Sequence, residues 1–295
     1  MVVAVIDVGS HTVRLLVAAR AGRGLATLHE ERAHLGLGDE VEQRGRISKA
    51  KLAATAKRVR AHARAAHRLG AERLEVVVTA PGRQAENADR LLTALAEAAG
   101  VSARVLTAEE EGCLAFRGAL AGAGALPETI AVCDVGGGST EVVVGTEDGG
   151  PAWMRSFDVG ATRLTSRLFR ADPPDRDMLE AARGELEESL AGFMPPLPKA
   201  ALASGGTPRA LRKLVGRSLG PDQLAQALRL CRKRSSAAIA KEFGVDPERA
   251  RTLAAGTLIL AIVQQRLGVP LQVARFGLRE GVVLSLLAEE EAAAA

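Results

Sequence analysis

The apolar positions of this 295-residue chain fall into short β-branched runs that alternate with longer amphipathic stretches. Val2 to Ile6 and Val13 to Val17 predict two strands joined by a polar loop. Thr129 to Cys133 and Val142 to Val144 predict a second pair of the same kind. The alternation of strands and helices elsewhere indicates an α/β layered fold. The other predicted strands are 74–78, 103–106 and 200–203, and the predicted helices are 48–69, 87–99, 108–120, 179–190, 209–214, 223–232 and 249–267.

The two predicted hairpins repeat each other. When Asp7-Val8-Gly9 is aligned on Asp134-Val135-Gly136, each copy consists of an apolar strand, Asp-Val-Gly, a polar turn with a threonine, and a valine-rich strand. A repeat at about half the chain length predicts a duplicated domain, with the two copies facing each other across a cleft. We expect domains at residues 1–125 and 126–295, with the last helix, about 281–292, able to pack back on the first domain. A chance likeness between two unrelated hairpins is the alternative.

Composition excludes several classes of protein. Lys and Arg number 39 against 35 Asp and Glu, and only 2% of residues are aromatic, so neither a strong basic field nor stacking platforms predict a nucleic-acid partner. The three cysteines have no paired or metal-ligand spacing, which suits a reducing compartment. The first apolar run ends at Asp7, too early for a signal peptide or a membrane span. We therefore expect a cytoplasmic protein with no membrane partner.

The turn after the second Asp-Val pair has the composition of a phosphate site. Gly136, Gly137 and Gly138 let the backbone approach an anion closely, and Ser139 and Thr140 add hydroxyl donors. Carboxylates so close to a phosphate repel it unless they hold a divalent cation or position water. A purely structural glycine turn is the alternative. The flanking acids Asp134 and Glu141, together with Asp7 of the first copy, are therefore the predicted ligands of Mg²⁺.

The corresponding loop of the first copy is Ser10-His11-Thr12, which offers backbone N–H and hydroxyl groups to a second phosphate. Arg14 follows on the next strand, where a guanidinium can bind phosphate oxygens in pairs or remain a solvated strand residue. Gly205-Gly206-Thr207 stands between a predicted strand and a predicted helix, which fits either an anion site at a helix N-terminus or a simple turn. Glu109 to Glu111 open another predicted helix, and acids there usually complement its dipole.

Taken together, these residues resemble the Ppx/GppA family of exopolyphosphatases and guanosine pentaphosphate phosphatases. The resemblance extends over nearly the whole chain, with the motifs in family order. It implies an α/β fold of two duplicated ribonuclease H-like domains, of the actin, sugar-kinase and heat-shock chaperone type, around a central cleft. The motifs are Ile6-Asp7-Val8-Gly9-Ser10 with Val13-Arg14-Leu15, Glu109 to Gly112, Asp134 to Glu141, Asp158-Val159-Gly160-Ala161, Gly205-Gly206-Thr207 and Gly277-Leu278-Arg279-Glu280-Gly281.

The resemblance also implies roles for individual side chains. Glu111 would be the base that activates water, and Asp134 and Glu141 would manage metal and nucleophile. Arg14, Arg83 and Arg249 would hold phosphates. The substrate would be inorganic polyphosphate or a guanosine polyphosphate, attacked in line by water with Mg²⁺ as cofactor, and the chain would be able to form a homodimer.

Two departures from the family pattern keep other functions open. Cys113 stands where many relatives have arginine, and Arg275 stands where an aspartate usually precedes the Gly-Leu-Arg-Glu-Gly motif. These changes favour a regulatory protein that binds polyphosphate or a nucleotide alarmone with little hydrolysis. A kinase of the same superfamily is a further alternative, for which the sequence shows neither an adenosine pocket nor a sugar site.

Overall fold

The structure, a computed structural model, describes residues 1–22 and 24–294. The chain divides into two compact units. Unit 1 combines Met1–Gly122 with the C-terminal segment from Phe276, and unit 2 is Ala123–Arg275. The boundary lies close to the expected residue 125, and the last helix, which we expected to be able to pack back on the first domain, belongs to unit 1.

Along the chain, strands and helices alternate much as the apolar pattern predicts. The elements up to residue 122 are β1 Val2–Val8, β2 Thr12–Ala21, β3 Gly24–His34, α1 Leu37–Arg44, α2 Lys49–Arg68, β4 Arg73–Val78, α3 Ala80–Gln84, α4 Ala88–Ala99, β5 Ala103–Val105 and α5 Ala108–Ala121. Those that follow are β6 Ile130–Val135, β7 Thr140–Thr146, β8 Gly150–Phe157, α6 Ala161–Leu168, α7 Arg176–Ser189, β9 Ala200–Gly205, α8 Gly206–Val215, β10 Ser218–Leu219, α9 Pro221–Lys233, α10 Ser236–Phe243, α11 Pro247–Arg251, α12 Leu253–Leu267, β11 Leu271–Val273 and α13 Leu278–Ala294.

The sheets of the two units share one topology. Within the described residues, the unit 1 sheet has the order β3-β2-β1-β4-β5, and the unit 2 sheet has the order β8-β7-β6-β9-β11 with β10 added at its edge. In each, the first hairpin is antiparallel and the next strand lies parallel to the first. Asp7 is opposite Arg14 in unit 1 as Asp134 is opposite Glu141 in unit 2, so the aligned repeats have the same register.

In unit 1 the sheet is buried on both faces, which is why β1 is a continuous apolar run. Ala4 and Ile6 pack with α2 and α4 on one face, whereas Val3 and Val5 pack with α5 and α13 on the other. All four side chains are fully buried. The polar residues therefore gather where the strands end.

The Gly-Leu-Arg-Glu-Gly motif holds α13 in unit 1. A Cβ on Gly281 would collide with the Leu114 carbonyl of α5, so glycine allows these two helices to approach closely. Glu280 accepts a hydrogen bond from the Gly277 N–H at 2.9 Å, and Arg279 reaches Glu30 of β3 at 3.1 Å. This family motif therefore has a structural role within unit 1.

In unit 2 the core surrounds α12, which is buried on nearly every side. The single helix predicted for 249–267 is wrong at its start, because the chain breaks at Thr252 into the short α11 and the longer α12. Thr252 donates its hydroxyl to the Arg249 carbonyl at 3.2 Å. No helix of the described residues combines the length and apolar character that a bilayer crossing requires.

Candidate active site

In unit 2, the glycine turn Gly136–Ser139 is anchored to the start of α6. The backbone N–H groups of Thr162 and Arg163 both donate to the Gly137 carbonyl oxygen, at 2.9 and 3.0 Å. An ideal Cβ on Gly160 would lie only 2.5 Å from that same oxygen. Because the C=O and the N–H of a trans peptide point in opposite directions, the Gly138 N–H is directed away from α6. The anchoring therefore explains why a glycine precedes α6 and fixes the direction of the turn.

A polar row crosses four strands directly beneath this turn. The register places Ser204 of β9 beside Asp134, Asp134 opposite Glu141, and Glu141 opposite Ser156 of β8. The Ser204 hydroxyl donates to Asp134 Oδ1 at 2.8 Å, and the Ser156 hydroxyl donates to Glu141 Oε1 at 2.9 Å. Residues in register point to the same face of a sheet. Each carboxylate is therefore oriented by a serine from a neighbouring strand.

The two carboxylates of this row are 8% and 1% exposed. Two like charges directly opposite each other are unfavourable in a buried setting, unless a cation or a proton lies between them. Carboxylate oxygens are the ligands that Mg²⁺ prefers. Asp134 and Glu141 therefore fit the divalent cation that the sequence predicts.

Cys133 precedes Asp134 on β6 and is completely buried. Burial raises the pKa of its thiol well above the usual value, and the negative charges of Asp134 and Glu141 raise it further. A neutral thiol is a weak nucleophile. Covalent catalysis by this cysteine does not fit its surroundings.

The second glycine turn of unit 2 lies beside the same carboxylate. Gly205 has a φ of 101°, and a Cβ there would lie 3.1 Å from Asp134 Oδ1. A Cβ on Gly206 would lie 2.5 Å from the Arg249 guanidinium, so that cation covers the turn. Arg249 is 8% exposed. The structure thus brings together Asp134, Gly205, Gly206 and Arg249, and the binding of phosphate there stays a prediction.

Two predicted phosphate ligands have other contacts. The Thr140 hydroxyl donates to the Val159 carbonyl at 2.6 Å, so its proton is used to hold the loop before α6. The Thr207 side chain is fully buried against Gly256 of α12. The hydroxyl role predicted for Thr140 is therefore wrong, because its proton is used inside the fold. The Thr207 hydroxyl is buried with no hydrogen-bond partner among the described residues, and its contact with phosphate stays a prediction.

In unit 1, the Ser10–Thr12 loop is tied to the start of α1. The Gly38 N–H donates to the Ser10 carbonyl at 2.8 Å, and the Gly36 N–H donates to the His11 carbonyl at 3.2 Å. The Ser10 side chain is 3% exposed, and its hydroxyl has no hydrogen-bond partner in the described residues. A buried hydroxyl without a partner is unfavourable, and a bound phosphate oxygen would supply one.

A row of charged residues crosses unit 1 at the position of the unit 2 carboxylates. Asp7 is opposite Arg14, and Arg14 is opposite Arg32 of β3. The Arg14 Nε donates to the Thr12 hydroxyl at 3.1 Å, which directs the guanidinium along the loop. This row has one acid and two cations, whereas the unit 2 row has two acids. Asp7 therefore lies in a setting that suits an anion better than a metal.

His11 of the same loop contacts His34 at the end of β3. Their rings meet edge to face with centroids 5.0 Å apart. His11 is 9% exposed, and β3 is paired with β2 so that His34 is opposite Thr12. The second imidazole therefore limits the orientations that the first can adopt.

Glu111, the predicted base, is buried in the first turn of α5. The Arg83 Nη1 donates to Glu111 Oε2 at 2.7 Å and to the Leu106 carbonyl at 2.9 Å. Its neighbour Glu110 forms a capping box with Thr107, whose backbone N–H lowers the pKa of the Glu110 carboxyl. Of Glu109, Glu110 and Glu111, only Glu111 thus has a carboxylate that is both buried and ion-paired. The structure also shows Arg83 as the partner of Glu111, while its contact with phosphate stays a prediction.

Residues 16–290 match the sequence model of the Ppx/GppA phosphatase family. The chain belongs to this family. Exopolyphosphatase 2 of Mycobacterium tuberculosis is 30% identical over 318 aligned positions, which cover 96% of this chain and 98% of that protein.

Solved structures agree with the family assignment. A Ppx/GppA family member from Aquifex aeolicus aligns with a TM-score of 0.82 at 28% identity and covers 98% of both chains. An exopolyphosphatase from Cytophaga hutchinsonii aligns with a TM-score of 0.89 at 19% identity, over 98% of both chains, and supports the fold alone. The prediction of two duplicated actin-like α/β domains is confirmed.

In this Ppx/GppA phosphatase, three residues of the two rows could not be identified from the sequence. Ser156 and Ser204 each hold a carboxylate, and Arg32 extends the charged row of unit 1. The two serines stand 15 and 70 residues from their carboxylate partners, on strands whose register is not visible in the sequence. The one signal in the sequence is that Ser204 directly precedes the Gly205-Gly206 pair.

Proposed function

We propose that this Ppx/GppA phosphatase releases terminal phosphate from inorganic polyphosphate with the help of Mg²⁺. The observation that carries the proposal is the buried pair Asp134 and Glu141, aligned in register beneath a glycine turn and each held by a serine. The relative from Mycobacterium tuberculosis is named an exopolyphosphatase. Polyphosphate is preferred to a guanosine polyphosphate because the chain has 2% aromatic residues and no tyrosine with which to stack a base.

The duplicated hairpins divide the chemistry by charge. In unit 1, Arg14 and Arg32 make the row cationic, which suits phosphate oxygens. The buried Ser10 hydroxyl has no hydrogen-bond partner among the described residues, so it can donate to a phosphate oxygen. In unit 2, Asp134 and Glu141 make the row anionic, so it suits a cation and a polarised water. The same strand arrangement thereby carries both the phosphate-binding and the metal-binding side chains that a phosphohydrolase needs.

In the proposed reaction, a water oxygen attacks the terminal phosphorus and the bridging P–O bond breaks, leaving a chain shorter by one phosphate. Glu111 accepts the proton of the attacking water, and Arg83 holds the Glu111 carboxylate in place. Asp134 and Glu141 would hold Mg²⁺, which would neutralise phosphate charge and acidify water. Ser204 and Ser156 keep those two carboxylates facing inward. The three free thiols suit the cytoplasm, where we place the reaction.

The decisive experiment measures phosphate release from long-chain polyphosphate with Mg²⁺. Glu141→Gln keeps the size of the side chain but loses its charge, and we expect kcat to fall by about 10³-fold or more. Glu147→Gln, at an exposed position in the turn after β7, makes the same change and should leave kcat unaltered. Mg²⁺ alone should raise the Tm of the parent and not that of Glu141→Gln.

Two results would contradict the proposal. A parent chain that binds polyphosphate without releasing phosphate would be a sensor rather than a hydrolase. Parent-level turnover by Glu141→Gln would show that the unit 2 row is not the reaction site. Guanosine pentaphosphate, assayed beside polyphosphate, tests the substrate preference, and faster turnover of the nucleotide would reverse that preference.

A further inference from the structure

A cationic cavity lies in unit 1, at the far end of α1 from the Ser10–Thr12 loop. Its volume is about 240 Å³. Ile47 and Leu52 contribute its apolar surface, and no acidic residue lines it. The polar lining residues are Arg44, Arg46, Ser48, Lys49, Asn87 and Arg90.

The framework of the cavity is held by hydrogen bonds that do not involve its cations. The Asn87 side chain accepts from the Ile47 N–H at 2.9 Å and donates to the Ile47 carbonyl at 2.8 Å. Ser48 donates from its N–H and its hydroxyl to the two oxygens of Glu40, at 2.7 and 3.0 Å. The loop between α1 and α2 is thus fixed on both sides. The backbone that frames the cavity is therefore fixed, and its four cationic side chains are exposed around that frame.

Arg44 of the cavity lies in the last turn of α1, where a cation complements the helix dipole, but the cations near the start of α2 have no such benefit. The first turn of α2 contains no acid, although the start of a 20-residue helix favours negative charge. It contains Lys49 instead, with Arg46 just before it. Within the described part of the chain, no carboxylate lies within ion-pair distance of any of the four lining cations. A local arrangement that works against stability is typical of a binding site.

We propose that this cavity binds a segment of the polyphosphate chain behind the reacting end. The proposal rests on the proposed function, because it assigns a second contact to the same substrate. The α1 helix begins beside Ser10, where the Gly38 N–H contacts it, and ends at Arg44. Its eight residues span about 12 Å, so a flexible chain of phosphates can follow the helix from loop to cavity. Both ends of this path belong to unit 1.

The lining chemistry favours a phosphate chain over a nucleotide. No aromatic side chain lines the cavity to stack a base, and guanidinium groups bind successive phosphate oxygens through paired hydrogen bonds. A second contact at a distance raises affinity only for substrates long enough to reach it. The cavity would therefore make the enzyme prefer long chains over short ones.

The test compares two double variants. The cavity variant carries Arg46→Gln and Arg90→Gln, and the matched control carries Arg60→Gln and Arg64→Gln. The control arginines are exposed on α2 outside the cavity lining and remove the same charge. For long-chain polyphosphate we expect the cavity variant to raise KM about tenfold with kcat unchanged. For tripolyphosphate, which is too short to reach the cavity, KM should stay at the parent value. The control should match the parent on both substrates.

Binding of long-chain polyphosphate without turnover, measured on the Glu141→Gln background, separates this proposal from the proposed function. If the parent releases no phosphate, weaker binding by the cavity variant than by the control still supports the cavity. Equal long-chain affinities of cavity variant and control would overturn it. So would an equal rise of KM for tripolyphosphate, or a loss of guanosine pentaphosphate binding with polyphosphate binding intact.

Discussion

The anchoring of the glycine turn to α6 can be tested with a single added methyl group. In Gly160→Ala, the new Cβ would lie 2.5 Å from the Gly137 carbonyl oxygen and 2.6 Å from the Gly138 nitrogen. Both are backbone atoms, so neither can rotate away. Gly160 has a φ of −136° and a ψ of 169°, which alanine adopts without strain. The perturbation is therefore purely steric.

The size of the effect follows from the overlap. Ordinary carbon contacts are about 3.5–4.0 Å, so the turn and α6 must separate by about 1 Å. Overpacking of this kind costs about 1–3 kcal/mol. For a unit of this size, that free energy lowers Tm by about 2–12 °C. A displacement of about 1 Å in a catalytic turn lowers kcat by about 10²-fold.

Gly184→Ala provides the matched control. Gly184 is an exposed interior residue of α7 in the same unit, and its added Cβ would meet nothing within 4 Å. Alanine there should raise the free energy of unfolding by about 0.5–1 kcal/mol, with kcat unchanged. Thermal unfolding and phosphate release would be measured on both variants. The same substitution should thus have opposite effects on stability at two glycines of one unit.

Amide exchange supplies the structural check. The Thr162 and Arg163 N–H groups, which donate to Gly137, should exchange faster in Gly160→Ala, because those hydrogen bonds lengthen as the turn moves. A Gly160→Ala protein with parent Tm, kcat and exchange rates would refute the reasoning, because the turn could then absorb a methyl group without moving.

Two further predictions concern unit 1. Arg83→Met should lower the free energy of unfolding by about 2–3 kcal/mol, because it removes the ion pair between Arg83 and the buried Glu111 carboxylate, and adding Glu111→Gln should restore most of the loss. Urea unfolding of both single variants and of the double variant measures this, and strictly additive losses would exclude the pairing. Burial lowers the pKa of His62 below 6.5, against the opposing charge of Glu31, so the unfolded chain binds the proton more readily. Stability should therefore fall as the pH drops from 6.5 through the folded pKa, and His62→Gln should lack this component of the Tm–pH curve, whereas superimposable curves would show that His62 does not contribute.

Much of the fold could be predicted because its strands are buried on both faces. The runs that became β1, β6 and β9 are continuous and apolar, and their positions were predicted to within a few residues. The strands β3, β8, β10 and β11 were missed. β3 has the sequence GLATLHEERAH and most of its residues are at least partly exposed, since it lies at the sheet edge. An edge strand needs no apolar run, so its sequence resembles a loop.

The candidate site was predictable where function leaves a local signature in the chain. Asp134, the glycine turn and Glu141 are contiguous, and the glycines reveal that backbone must approach something closely. The orientation of the side chains was not predictable in the same way. Thr140 has the composition of a phosphate ligand, yet its hydroxyl donates to the Val159 carbonyl, which comes from a segment 19 residues away along the chain.

The two units show how a duplication can separate two chemistries on one backbone. Asp7 and Asp134 occupy the same register position, but their cross-strand partners are Arg14 and Glu141. Together with Arg32, which stands where unit 2 has Ser156, this difference makes one row cationic and the other anionic, while the Asp-Val-Gly turn next to each row stays the same. A phosphohydrolase needs a cationic surface for its substrate and carboxylates for its metal and water. Because the strand register is fixed by burial on both sheet faces, each unit could change the charge of its row without changing its fold.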